Sequence, residues 1–366
     1  MKVLVVAGAR PNFMKVAPIL RALSARGHDA LLVHTGQHYD ARMSDAFFLD
    51  LGLPEPDYHL GVGGGSHAQQ TARIMEAFEP VLLETKADWL VVVGDVNSTI
   101  ATALVASKLK EQTGTRICHV EAGLRSGDWR MPEEVNRVLT DRLSDLLLTP
   151  SDDAHPNLAC EGITADRVAF VGNVMIDTLH AQLEKARALD MPSRLGVKRG
   201  GYVLSTLHRP SNVDDRSALT AVLEALARVS REMPVVLPLH PRTRKNAEQF
   251  VMGELLGRLK VIEPVGYTEM LSLSDGAAAV LSDSGGLQEE TTVLGVPCVT
   301  LRESTERPAT ITYGTNRMAP WPLTTDGVFQ SFREALDQGR IGVGEKVPEG
   351  WDGRAAERIV EALERG

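Results

Sequence analysis

Three short stretches place carboxylates where acid–base chemistry needs them. Val93-Gly94-Asp95 ends one apolar run, and Glu121 ends another in His119-Val120-Glu121-Ala122-Gly123-Leu124-Arg125. Pro132-Glu133-Glu134-Val135-Asn136-Arg137 opens a helical pattern. An acid at the carboxyl end of a parallel strand points into the crevice where open α/β sheets bind ligands. Pro132 suits a first helical position, and compensation of the helix dipole accounts for one of the two glutamates behind it. Three carboxylates around one crevice exceed that requirement. Crowding and desolvation would raise the proton affinity of at least one of them into the range useful for proton transfer near neutrality.

A second set of residues has the chemistry of a phosphate site. Gly8-Ala9-Arg10-Pro11-Asn12-Phe13-Met14-Lys15 is a glycine turn carrying two cations into a helix, where backbone N–H groups and the Arg10 fork can meet an anion. His208-Arg209-Pro210 and His240-Pro241-Arg242-Thr243-Arg244 each set a histidine beside arginine at a strand end, and histidine can protonate a leaving phosphate. Ser282-Asp283-Ser284-Gly285-Gly286-Leu287-Gln288-Glu289-Glu290 runs from a strand into a helix. An ordinary Ser cap explains that helix start but not the doubled glycine, which lets backbone amides approach a pyrophosphate. A glutamate one or two turns on can accept from ribose hydroxyls. Arg302 and Thr305-Glu306-Arg307-Pro308 add polar groups after the next strand.

The elements that must hold these residues alternate short β-rich runs with helical patterns, the mark of parallel βαβ units. Strands are expected at Lys2–Ala7, Ala30–Thr35, Trp89–Val93, Ile117–Val120, Leu146–Leu148 and Val168–Val171, then Tyr202–Thr206, Val235–Pro238, Leu259–Ile262, Ala277–Leu281 and Val296–Leu301. Several are apolar on both faces, as strands covered by helices on both sides must be. The series breaks near Gly172-Asn173. The expectation is therefore an α/β protein of two Rossmann-like, doubly wound domains with a cleft between them: residues 1–172 with a C-terminal helix 350–366 carrying the acids, and residues 173–349 binding the nucleotide.

Composition bounds the rest. Lys and Arg total 39 against 48 for Asp and Glu, a formal charge of −9, so no global attraction to nucleic acid or an anionic membrane is expected. Cys118, Cys160 and Cys298 are odd in number and far apart, which suits a reducing cytoplasm and suggests neither a disulfide framework nor a zinc site. Met1-Lys2 and the apolar run after it read as a first strand rather than a signal peptide because Arg10 interrupts. No apolar run approaches the ~18 residues of a membrane span. There is no GxxxxGK[ST] and no GxSxG. Gly63-Gly64-Gly65-Ser66-His67-Ala68 matches a loose GxGxxA, but Pro54-Glu55-Pro56-Asp57 stands where its strand should be. Neither a bound dinucleotide nor a metal is expected.

Taken in order, the acid, histidine and glycine segments above, with Leu207-His208-Arg209, Leu239-His240-Pro241-Arg242 and Thr305-Glu306-Arg307-Pro308, resemble the non-hydrolysing UDP-N-acetylglucosamine 2-epimerases over nearly the whole chain. The resemblance implies a fold like the GT-B glycosyltransferases, a cytoplasmic homodimer and a final helix packed back on the first domain. It implies catalytic roles for Asp95, Glu121, Glu133 and His208. UDP contacts are implied for Arg10, Lys15, His240, Ser284, Gly285, Gly286 and Glu290, and Arg307 joins them as a substrate-binding residue. Three positions depart from the family pattern. The stretch from Arg125 to Pro132 is short, Asp40 replaces a polar amide, and Met270 stands where an aromatic would stack on uracil. In several bacterial relatives the first two neighbourhoods help bind a second nucleotide sugar as activator, so activation is not among the properties that the resemblance implies here.

Carbon 2 of such a sugar has no adjacent carbonyl, so a simple enolate is unavailable to it. The route implied expels UDP from carbon 1 while a carboxylate removes the carbon 2 proton, leaving 2-acetamidoglucal; UDP re-adds after protonation from the opposite face. Asp95, Glu121 and Glu133 are assigned to proton transfer and oxocarbenium stabilisation, and His208 to UDP departure. The alternatives are an epimerase of a modified UDP-sugar such as a 2,3-diacetamido uronate, a GT-B glycosyltransferase, and a nucleotide-sugar sensor without turnover.

Overall fold

The computed structural model describes residues 1–36 and 51–366, the side chain of Arg10 excepted, so Asp40 lies outside the described residues. The chain forms two compact units, Met1–His180 with Glu349–Gly366, and Ala181–Pro348. The division falls within the helix Val174–Leu189.

In the first unit seven strands lie in one sheet in the order β3-β2-β1-β4-β5-β6-β7. They are β1 (Lys2–Ala7), β2 (Asp29–His34), β3 (Tyr58–His59), β4 (Trp89–Val93), β5 (Arg116–Val120), β6 (Leu146–Thr149) and β7 (Val168–Phe170), and every pairing is parallel. β1 and β4 are central, and their apolar residues are buried from both faces, which is why they read as unbroken runs rather than alternations. Leu4, Val6, Leu90 and Val92 pack one face with Phe78, Leu82, Ala103 and Ala106 from the helices His67–Thr85 and Asn97–Thr113.

The helix Ala355–Arg365 belongs to this unit. Its Ile359, Val360 and Leu363 are buried, and Trp89 donates through Nε1 to the Leu363 carbonyl at 3.2 Å. The Asp177 carboxylate accepts from the Ala355 and Ala356 amides at 3.0 and 2.7 Å, capping a helix whose own N-cap residue, Arg354, offers no side-chain acceptor.

The second unit repeats the pattern with six strands in the order β10-β9-β8-β11-β12-β13: β8 (Val203–Thr206), β9 (Val235–Pro238), β10 (Lys260–Ile262), β11 (Ala279–Ser282), β12 (Cys298–Thr300) and β13 (Asn316–Met318). All pairings are again parallel. Its core joins Val203, Leu237 and Leu281 to the apolar stripes of helices Arg216–Val229 and Thr325–Gln338. Both units therefore have the doubly wound, Rossmann-like architecture.

Two strands, β3 and β13, are invisible to sequence patterning. Both are edge strands of two or three residues, and their letters, Tyr-His and Asn-Arg-Met, carry neither alternation nor an apolar run. β3 follows the prolines before Gly63-Gly64-Gly65-Ser66 as a two-residue edge, half-buried and exposed, and is not the buried strand a dinucleotide fingerprint needs. The glycines lead into an ordinary helix start, with Ser66 Oγ accepting from the Gln69 amide at 3.3 Å and Gln69 Oε1 accepting from the Ser66 amide at 3.1 Å.

Candidate active site

In an open parallel sheet the crevice lies where successive connections leave in opposite directions, here between β1 and β4 and again between β8 and β11. The chemistry-bearing segments flank those two points.

In the first unit the β4–β5 register sets Val93 opposite Val120, so Gly94 and Glu121 emerge side by side. Asn12, in the first turn of the helix Arg10–Ala25, fixes the loop after β1 to the end of β4. Its Oδ1 accepts from the Ala9 amide at 3.1 Å, and its Nδ2 donates to the Val93 carbonyl at 3.1 Å. One turn on, the buried Lys15 forms an ion pair with the buried Glu121 carboxylate. Glu121 adopts a left-handed conformation, φ +74°, which is uncommon outside glycine and stores strain at a position meant to hold its side chain in the crevice. Gly94, at φ +64°, takes the left-handed conformation that favours glycine, and a Cβ there would lie 2.9 Å from Lys15 Nζ.

Asp95, partly exposed, pairs with the buried Arg137 guanidinium, which also holds Glu134 at 2.9 Å. Asn136 Nδ2 donates to the Asp95 carbonyl at 2.9 Å. The helix Pro132–Leu143 thus grips Asp95 by side chain and backbone, with the half-buried Glu133 on its first turn. Glu134 does more than answer a helix dipole: it accepts from the Gly127 amide at 2.8 Å and the Ser126 hydroxyl at 2.9 Å, tying down the loop before the helix.

Beneath Gly94 lies His119, fully buried. Nδ1 faces Asp141 Oδ1 at 2.5 Å and Nε2 faces the Gly94 carbonyl at 2.8 Å. Burial alone would push the Asp141 carboxyl up, but His119 and Arg125 together hold it below its ordinary value. The ring thus bridges Asp141 to the turn that bears Asp95. Glu121 and Asp95 each stand beside a buried cation, Lys15 and Arg137.

In the second unit His208 follows β8 and Asp283 follows β11. His208 Nδ1 meets Asp283 Oδ1 at 2.8 Å, and the same carboxylate accepts from the His208 and Arg209 amides at 3.0 and 2.9 Å. The His240 ring lies 6.0 Å from that of His208, and His240 Nδ1 accepts from the Arg242 amide at 3.2 Å. Ser284 opens the helix Gly285–Leu294 in extended conformation and makes no side-chain cap, which leaves the first-turn amides to an anion. Ser284, Gly285 and Gly286 are partly exposed, whereas the helix is buried from Leu287 onward. Behind it, Arg307 is held by Glu289 at 2.8 Å and Glu306 at 2.5 Å, and its guanidinium lies 3.1 Å from where a Gly285 Cβ would be. Glu290 is fully enclosed. Burial pushes its carboxyl up to about 8, against the opposing effect of the Tyr267 hydroxyl and with help from Glu289. Met270 is half-buried on the helix Tyr267–Gly276.

Each unit thus holds its own set of motif residues, with the side chain of Arg10 outside those described. The structure adds Asn12, Arg137, Asp141 and Asp283 to them. All four stand within or near the motifs, yet a residue that only positions another leaves no signal until its partner is known. Among the described residues no group of three or more His, Cys, Asp or Glu side chains is arranged to hold a metal ion.

The profile of the family described as UDP-N-acetylglucosamine 2-epimerase matches residues 21–364. The UDP-N-acetylglucosamine 2-epimerase of Methanocaldococcus jannaschii is 43% identical over 324 residues, 86% of this chain and 87% of that protein. The UDP-2,3-diacetamido-2,3-dideoxy-D-glucuronate 2-epimerase of Pseudomonas aeruginosa is 42% identical over 373 residues, covering 99% of each. The crystal structure of the M. jannaschii UDP-GlcNAc 2-epimerase in complex with UDP-GlcNAc and UDP superposes with a TM-score of 0.89 at 38% identity, over 100% of both chains. Two Rossmann-like units, acids and histidines at their switch points and a match over nearly the full length lead to one conclusion: this chain belongs to the UDP-N-acetylglucosamine 2-epimerase family.

Proposed function

We propose that this protein interconverts UDP-N-acetylglucosamine and UDP-N-acetylmannosamine by eliminating UDP and adding it back. The observation that carries the reading is the pairing of Glu121 with Lys15 and Asp95 with Arg137 at the first unit's switch point. A carboxylate at that point can accept the carbon 2 proton. The C2–H electrons form the C1=C2 double bond, and the C1–O pair leaves with UDP. On return a carboxyl on the other face of the glycal delivers a proton to carbon 2 while UDP attacks carbon 1. Asp95, Glu121 and Glu133 take the proton-transfer roles. His208, His240 and the amides of Ser284, Gly285 and Gly286 stabilise the departing diphosphate, with Arg10 and Lys15 as further cations and Glu290 on the ribose.

A second reading is favoured by one observation: the P. aeruginosa relative, named for a diacetamido uronate sugar, aligns over 99% of both chains. Incubation with each UDP-sugar in deuterated water separates the two. Label at carbon 2 of UDP-N-acetylmannosamine supports the first, label only in the uronate product supports the second, and turnover without label excludes the elimination route in both. We further propose a homodimer, checked by sedimentation. We also propose a reducing, cytoplasmic setting, in keeping with three free cysteines. No helix among the described residues is long and apolar enough to cross a membrane.

A further inference from the structure

The second unit's switch point carries a device beyond the assignment of His208. Asp283 is fully buried, yet all its acceptor capacity is spent on one loop: the His208 ring, the His208 and Arg209 amides, and Asn212 Nδ2 at 3.2 Å. Because β8 and β11 are adjacent, the residues after them meet across the crevice. A carboxylate there costs desolvation, so its worth must lie in what it holds. The His208 ring is only about one-third exposed, its Nδ1 turned inward on the acid. Nε2 is then the nitrogen left for a ligand.

The groups facing His208 are Asp283 at Nδ1, His240 across the 6.0 Å ring contact, and Arg209 next in sequence. His240 has the opposite arrangement, with Nδ1 accepting from a backbone amide, which leaves its hydrogen on Nε2. When His208 is neutral, Nδ1 carries the hydrogen and Nε2 is a base. When it is protonated, Nε2–H is a donor beside that of His240. Two imidazoles so oriented give a diphosphate two N–H donors, of which only the His208 one can be handed over as a proton and taken back with the acid's support.

We infer that Asp283 is a positioning residue for the reaction: it fixes the His208 tautomer and aims Nε2 at the leaving diphosphate, so that the ring can assist UDP departure. This rests on the elimination reading above. As the C1–O bond breaks, its electron pair goes to the β-phosphate oxygen, which takes the Nε2 proton; the proton returns to Nε2 when that oxygen attacks carbon 1 again.

The test is Asp283→Asn, which keeps one carbonyl oxygen for the loop amides but removes the charge. A loss in kcat of about tenfold or more with KM unchanged is expected. In a His208→Asn background the same substitution should remove almost nothing further. An unmoved kcat, or the full loss repeated without His208, overturns the inference. Nitrogen-15 NMR of the His208 ring, identified by its absence in His208→Asn, gives a readout independent of turnover. The parent should show the neutral ring with its hydrogen on Nδ1 and Asp283→Asn a mixture of tautomers; the same tautomer in both overturns the dyad even if the enzyme proves inactive on every sugar tried. Failure of the parent protein to label carbon 2, with the tautomer still changing, overturns the elimination reading and with it the catalytic role, leaving the dyad as a binding device only.

Discussion

Glu121 shows how much the site asks of single residues, since it combines a left-handed backbone with a buried carboxylate paired to Lys15. Replacing Lys15 by Met leaves that charge buried without its cation and should destabilise the fold by about 3–5 kcal/mol, measured by denaturant unfolding. Glu121→Gln keeps the shape; a folded variant that loses about 10²–10⁴-fold in carbon 2 exchange is the expected outcome. Glu290 gives a pH signature of its own. Its carboxyl is raised from an ordinary 4.5 to about 8, so between those values the folded chain holds a proton that the unfolded chain has released. Stability from this group is therefore lost as pH rises through that window. Glu290→Gln should gain in Tm relative to the parent from about pH 5 to about pH 8, a slope absent if the acid is ionised in the fold. At this scale the sequence shows which residues carry chemistry, because acids, histidines and doubled glycines at strand ends are rare without a reason. It hides their partners: nothing in the letters of Asp283 or Arg137 says whom they hold.

The loops between elements depend on small residues as much as on charged ones. A Cβ on Gly8 would lie 2.6 Å from Thr35 Oγ1 and 2.7 Å from Ser98 Cβ, where those two side chains share a 2.8 Å hydrogen bond. Gly8→Ala should therefore displace the turn that precedes Asn12 and Lys15, lowering Tm and carbon 2 exchange together. A variant with parental exchange would show that the turn tolerates the shift. Central strands such as β1, β4 and β9 are legible to the residue, since burial on both faces demands continuous apolar runs. β3 and β13 are not, because a short edge strand is set by its neighbour's unpaired backbone groups rather than by its own side chains. The helices Arg10–Ala25 and Asn97–Thr113 open on turns rich in polar residues, which carry no apolar period for the sequence to show.

On the scale of the molecule, one strand order serves twice, and each copy places its ligand residues at the same topological position. That repetition is legible only as alternation, because strand order is a property of pairing and is not written in any local run. The first unit is completed by a distant segment, and Asp177 is its fastening through the Ala355 and Ala356 amides. Asp177→Ala should cost about 1–2 kcal/mol and expose the helix Ala355–Arg365 to limited proteolysis ahead of any other described helix, whereas unchanged digestion would show that Trp89 and the apolar face suffice. The same arrangement dictates an order of events on the ribosome. Residues 181–348 are synthesised before residues 349–366, so the unit that starts first finishes second. Until residues 349–366 leave the exit tunnel, the Trp89 indole and the helix Arg10–Ala25 wait with their apolar faces open to water, a nascent surface that chaperones would be expected to meet.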